Sequence, residues 1–355
     1  MLRNHIKLAV LISTFVAGAG IGFAQGPGMA RPSPPSPTKD PNANLKTGDT
    51  SSTGEAVARG QVALADGAVP ERLVQIFAVC GGDQKFIAIA DSKGRFSFNP
   101  GVLSDTQVTK GCVLRATLEG YRSETKSLAD VKPNSSNKLG KIVLQPLSSD
   151  TNGLTSVTGA QANKAAKKAY DKSLDEAAKQ SWSEAKASLL KATAAYPDYS
   201  DAWLSLGILE QSAGDRDGAQ KSFAESARAD GKFAVPLILT AALDAVRGDW
   251  QATVEHSQKA IDLNPTAFPQ AYELNALGNL NLKKVDAVEK SASEGLKLDT
   301  EQRYPELEYL LGAVLAAKRD LGGATKHLQA YIDLSPNGPN IERAKTALAE
   351  LRAAH

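Results

Sequence analysis

Two periods divide this chain. Between Glu55 and Leu147 apolar and polar positions alternate in short runs. Val74, Ile76, Ala78 and Cys80 alternate with Gln75, Phe77 and Val79, and Cys112, Leu114, Ala116 and Leu118 with Val113, Arg115 and Thr117. A period of two places alternate side chains on opposite faces of a strand. Further runs at 58–65, 86–90, 95–98 and 139–145 bring the expected number of strands to six or seven. Asp66-Gly67, Gly81-Gly82-Asp83, Asp91 to Gly94 and Pro133-Asn134 punctuate them as turns. The pattern predicts a β-sandwich over residues 55–147. Cys80 shares parity with Val74 and Ile76, and Cys112 with Leu114, so both thiols point inward.

After a short polar link at 148–160, helical periodicity holds from residue 161 to the end. Ala185, Ala219 and Thr253 recur at intervals of 34, and Val288 and Ala324 follow after 35 and 36. Pro197, Gly231, Pro265, Thr300 and Pro336 repeat the series. Such a period marks helical hairpins, each too small to bury its own apolar face and therefore stacked on the next. Small residues recur where paired helices must cross closely: Ser173, Gly207, Ala241, Ala276 and Gly312. Pro236, Pro269 and Pro305 fall near helix starts, where a missing N–H costs nothing. The units read as 166–199, 200–233, 234–268, 269–304 and 305–338, with a closing helix over 340–354. The first unit departs from the pattern, as an end repeat does.

Trp203-x-x-Leu206-Gly207, then Ala219-x-x-x-Phe223, resembles the tetratricopeptide repeat in residue type and spacing, and Gly214-Asp215 falls at that family's interhelical turn. Asp91-Ser92-Lys93-Gly94-Arg95-Phe96-Ser97-Phe98 is similar to the hairpin of carboxypeptidase regulatory-like domains, which have a prealbumin-like sandwich. Leu118-Glu119-Gly120-Tyr121 resembles a strand end common in those domains. The expected architecture is thus multidomain: an all-β, prealbumin-like sandwich followed by an all-α tetratricopeptide superhelix. The resemblance implies that first helices line a concave groove. Its lining would include Tyr170, Leu174, Leu204, Ile208, Ile238, Ala242, Glu273, Leu277, Tyr309 and Ala313. That lining lacks the Lys/Asn/Arg set by which some relatives clamp a peptide carboxylate. An amphipathic helix or extended apolar segment suits it better. The competing reading is that these side chains pack as core.

The N-terminus changes the picture of location. Arg3 and Lys7 precede an apolar run from Leu8 to Phe23, and Gly22 and Ala24 flank Phe23 before Gln25. This is the layout of a secretory signal peptide over 1–24, with an uncleaved anchor as its rival. Residues 25–54 hold six prolines among polar residues and read as a disordered tether. In an exported chain Cys80 and Cys112 are expected to pair, with two buried free thiols as the alternative. Without residues 1–24 the chain carries 39 basic and 39 acidic residues. This neutral balance gives no electrostatic case for nucleic acid, and no later stretch is apolar enough to span a membrane.

No constellation of chemistry stands out. His256 and His327 lie on different second helices without a ligand motif, and no phosphate loop, nucleophile elbow or zinc-protease motif occurs. No catalytic residue, cofactor or metal is expected. The chain reads as a non-enzymatic scaffold or adaptor, periplasmic or secreted, that binds a protein or peptide. The alternative is a carbohydrate-binding protein using the sandwich.

Overall fold

The computed structural model describes residues 57–80, 83–103, 111–132 and 135–353. The expected signal peptide and proline-rich tether lie outside the described residues, as do the turn residues Gly81-Gly82 and Pro133-Asn134. Among the described residues eight strands form the sandwich: β1 (Ala58–Leu64), β2 (Gln75–Cys80), β3 (Asp83–Ile89), β4 (Arg95–Phe98), β5 (Val113–Thr117), β6 (Tyr121–Ser123), β7 (Lys126–Ser127) and β8 (Asn137–Pro146). One sheet has the order β4-β1-β8-β6 and the other β3-β2-β5-β7. All pairings are antiparallel except β1 with β8. Val62, Ile76, Leu114, Ile142 and Leu144 fill the space between the sheets.

Local chemistry explains the β3–β4 turn. The Asp91 carboxylate accepts from the N–H groups of Lys93 and Arg95, at 2.9 and 2.8 Å, and Gly94 takes φ +72°. Only glycine enters that region at little cost. Cys80 and Cys112 are joined as a disulfide, as their shared inward parity predicts. The short strands β6 and β7 escaped the sequence pattern because runs of three and two residues show no period.

A short helix, α1 (Thr158–Gln161), leads into five hairpins and a closing helix. The hairpins are α2 (Lys164–Ala178) with α3 (Trp182–Ala195), α4 (Ser200–Ser212) with α5 (Arg216–Ala229), and α6 (Val235–Arg247) with α7 (Trp250–Leu263). They continue with α8 (Pro269–Asn281) and α9 (Val285–Leu298), α10 (Glu306–Ala317) and α11 (Leu321–Leu334), and α12 (Ile341–Ala353) closes the stack. Asp215, Asp249 and Asp320 each cap a second helix by accepting from the N–H three residues on. A Cβ on Gly207 would stand 2.5 Å from the Phe223 ring, which is why a small residue recurs at that crossing. The architecture is therefore an all-β sandwich followed by an all-α array of tetratricopeptide-like hairpins.

The first three hairpins share a hydrogen-bonded rung. The carboxylates of Glu176, Glu210 and Asp244 near the ends of first helices meet Ser188, Ser222 and His256 on second helices, at 2.6, 2.6 and 2.7 Å. Each partner lies twelve residues on from its acid, and the rungs recur every 34 residues. Each satisfies a poorly exposed carboxylate inside its hairpin.

Candidate functional site

The sandwich does not stand apart from the array. Its apolar core and that of the later hairpins form one contiguous cluster, from Ile76 and Leu114 through Leu204, Phe233 and Phe268 to Leu351. A second cluster joins Leu73 and Ile89 of the sandwich to Ala166, Tyr170, Leu174 and Leu206 of the first two hairpins. The junction runs along the first helices and the residues that lead into them.

An aromatic residue stands just before each of four first helices: Tyr199, Phe233, Phe268 and Tyr304, at intervals of 34, 35 and 36. The sandwich is seated along this row. Arg72 is 7% exposed and places its guanidinium 5.4 Å from the centre of the Phe233 ring. Its Nη2 donates to the carbonyl of Glu119 at 3.4 Å, and Arg303 of the array donates to the carbonyl of Tyr121 at 3.3 Å. Between those two carbonyls lies Gly120, with φ +84°, so close to the array that a Cβ would stand 3.1 Å from Phe268. The Leu118-Glu119-Gly120-Tyr121 strand end is thus the tip that packs against the turns between hairpins.

Polar bonds complete the seat. Tyr170 Oη donates to the carbonyl of Glu71 at 2.8 Å, and the Ser92 N–H donates to Asp175 at 3.0 Å. Asp201 is 3% exposed, and burial lifts its carboxyl to about 7; Arg72 opposes the shift, while Glu71 and Asp230 add to it. Burial, then Glu306 and Asp299, lift Glu273 to about 8. The Arg72 guanidinium is pulled below its ordinary value by desolvation, against the attraction of Asp201.

The link at 148–160 is bonded along the array's edge as a strap. Asn264, the C-cap of α7, donates to the carbonyls of Asp150 and Asn152 at 2.9 and 2.8 Å. The Ala234 N–H donates to the carbonyl of Gly153. Asp230, the C-cap of α5, accepts from the Ser156 hydroxyl and the Val157 N–H, both at 2.9 Å. The Ser200 N–H then donates to Thr158 Oγ1 at 3.0 Å. The strap thus passes the inter-hairpin junctions in reverse order, and Asp230 and Asn264 occupy equivalent positions of successive repeats.

Among the residues expected to line the groove, Tyr170, Leu204, Ile238, Leu277 and Tyr309 are buried, while Ile208 and Glu273 are half-buried. Leu204, Ile238, Leu277 and Tyr309 belong to the cluster that includes the sandwich core. Sequence reasoning missed Arg72, Gly120, the aromatic row and the strap. The row was detectable, since it follows the same intervals as the small-residue positions.

His256 and His327 face Asp244 and Glu308, at 2.7 and 2.6 Å, and act as interhelical rungs. Among the described residues no group of three or more His, Cys, Asp or Glu side chains is placed to hold a metal ion, and no helix is long and apolar enough to cross a membrane.

No protein-family model matches the chain, and no curated protein matches it. Among solved structures the chain is similar to MamA from Desulfovibrio magneticus RS-1, at 16% identity and TM-score 0.43, over 49% of this chain and 97% of that one. YrrB, described as a TPR protein with an unusual peptide-binding site, matches at 17% identity and TM-score 0.42, over 49% of this chain and 88% of its own. A tetratricopeptide repeat protein from Parabacteroides merdae ATCC 43184 matches at 15% identity and TM-score 0.45, over 54% and 75% of the two chains. The hairpin architecture of this chain rests on its own helices rather than on these likenesses.

Proposed function

We propose that this chain is a non-enzymatic scaffold, exported by its N-terminal segment, whose helical array holds a protein or peptide partner at the cell envelope. One observation carries the reading: the array already receives polypeptide, the folded tip at Glu119–Tyr121 against its inter-hairpin turns and the extended strap at 150–158 along its edge. A face with a repeating aromatic seat and repeating polar caps is built to hold backbone and side chains of another segment. An outside partner competes with the sandwich for it. The Cys80–Cys112 disulfide supports an oxidising compartment.

The test is capture from the source organism's envelope fraction on immobilised intact protein, beside a Gly120→Leu variant that unseats the sandwich. The reading expects one protein bound stoichiometrically, and more tightly by the variant. Capture of polysaccharide alone, or turnover on peptide or glycoside panels, would replace it.

A further inference from the structure

The neutral balance of the chain hides two modules of opposite sign. Residues 55–147 carry 12 basic and 9 acidic side chains, while residues 148–355 carry 24 and 28. Cations of the sandwich gather on the outer face of the sheet β4-β1-β8-β6. Val62, Phe96, Ile142 and Leu144 are buried in the core, so the alternate positions of their strands point outward. Those outward positions hold Arg59 on β1, Arg95 on β4, Lys138 and Lys141 on β8 and Arg122 on β6, all exposed. The register sets Arg59 directly beside Lys138. It sets Gln61 between Lys141 and Arg95, and Arg122 beside Gln145 farther along β8.

This arrangement contributes nothing to the fold. Like charges on neighbouring strands repel, and Arg59 and Lys138 are direct neighbours. Asp91 holds Arg95 at 2.7 Å, yet among the described residues no carboxylate is bonded to Arg59, Arg122, Lys138 or Lys141. Glu124, whose N–H donates to the carbonyl of Val143, is the acid that flanks the face.

We propose that this sheet face docks on an anionic phospholipid bilayer. A sheet face is broad and open, which suits a planar partner better than a single polymer strand. None of its outward positions holds an aromatic side chain, the group on which the bases of single-stranded nucleic acid stack. No large apolar side chain is exposed there either, so contact is adsorption to headgroups and not insertion. The chain enters the sheet at Ala58, next to Arg59, so the segment before it joins the molecule on the basic side. The net acidic array is repelled by the same surface, which orients the molecule with its sandwich toward the bilayer. The biological role rests on the envelope location proposed above, whereas vesicle binding reads the face itself and is independent of any partner of the array.

Sedimentation with vesicles tests the docking, using residues 25–355, which include every described residue. Vesicles of phosphatidylcholine with about 30% phosphatidylglycerol are compared with phosphatidylcholine alone at about 50 mM salt. Binding is expected to the anionic vesicles only, and to vanish at about 500 mM salt. Each cation near such a surface strengthens partitioning about fivefold. Arg59→Glu with Lys141→Glu is therefore expected to weaken binding at least about twentyfold. Lys168→Glu with Lys191→Glu makes the same change in net charge at exposed sites of α2 and α3, and is expected to weaken it less than about threefold. Arg59→Glu gains Lys138 as an ion partner, so the first variant is expected to keep its melting transition. Should it lose that transition, Arg122→Gln with Lys141→Gln takes its place, with an expected loss of at least about tenfold. Equal binding to neutral vesicles, an equal loss in the face and array variants, or tighter binding to duplex DNA or an acidic polysaccharide at matched charge overturns the proposal.

Discussion

The hydroxyl of Tyr170, on the first helix of the first hairpin, donates to the main-chain carbonyl of Glu71 on the sandwich at 2.8 Å. The same hydroxyl lies 3.1 Å from Ser205 Oγ on the first helix of the next hairpin. One side chain thus ties two hairpins and the sandwich at a single buried point. A residue that reads from sequence as groove lining is, in the fold, part of the joint between the two halves.

That joint is most sensitive where the backbone approaches closest. At Gly120 a Cβ would stand 2.1 Å from Leu154, which is itself wholly buried, and φ is +84°. Gly140 has φ +73° but open space around it. Gly140→Ala is expected to cost about 1 kcal/mol, the backbone penalty alone. Gly120→Ala adds overpacking and is expected to cost about 3 kcal/mol in all. Thermal unfolding of the two variants separates the contributions, and equal losses would mean the tip is not confined.

Arg72 is the cation that opposes the upward shift of the buried Asp201 carboxyl. In alkaline medium, where the Asp201 carboxyl is ionised, Arg72→Met leaves it without its cation and is expected to destabilise by about 3 kcal/mol. Adding Asp201→Asn removes the stranded charge, so the double variant is expected to be more stable than Arg72→Met alone. Urea titrations of the four proteins measure the coupling. Strict additivity would show that the two side chains do not sense each other.

The turn from first to second helix demands a left-handed residue in every hairpin: Gln180, Gly214, Gly248, Lys283 and Arg319 all have positive φ. Glycine occupies two of the five. Lys283 is exposed, so Lys283→Gly is expected to stabilise the array by about 1 kcal/mol by relieving that conformation. A loss of stability in calorimetry would assign the lysine side chain a role of its own.

The rung between Glu210 and Ser222 joins two buried groups at 2.6 Å. Ser222→Ala takes a charge-assisted donor from a carboxylate that Lys186 also meets at 3.0 Å, and is expected to cost about 2 kcal/mol. Helical circular dichroism against temperature reads this directly, and a change within error would mean that water replaces the hydroxyl.

Much of this was legible in the residues. The 34-residue interval marks the hairpins, Gly207 marks a close crossing, and Asp91 with Gly94 marks a turn, because each is a local demand on residue type. The shared inward parity of Cys80 and Cys112 likewise points to their bridge. The seat of the sandwich is different in kind. Arg72, Gly120 and Asp230 are separated widely in sequence, and each reads alone as a surface cation, a turn and a helix end. Only packing brings them together, and no period links one module to the other. Asn264 and Asp230 share a repeat position, yet what they bind is a strap with no pattern of its own.

The central claim is that sandwich and array share one core, and all three tryptophans, Trp182, Trp203 and Trp250, lie in the array. Urea unfolding of the intact protein followed by tryptophan fluorescence therefore reports on the array, while Cys80→Ala with Cys112→Ala alters only the sandwich. Removing a bridge that spans 32 residues weakens the sandwich by about 3 kcal/mol. With a shared core the tryptophan transition moves to lower urea together with the sandwich. A tryptophan transition that stays in place while the sandwich unfolds separately would contradict the claim.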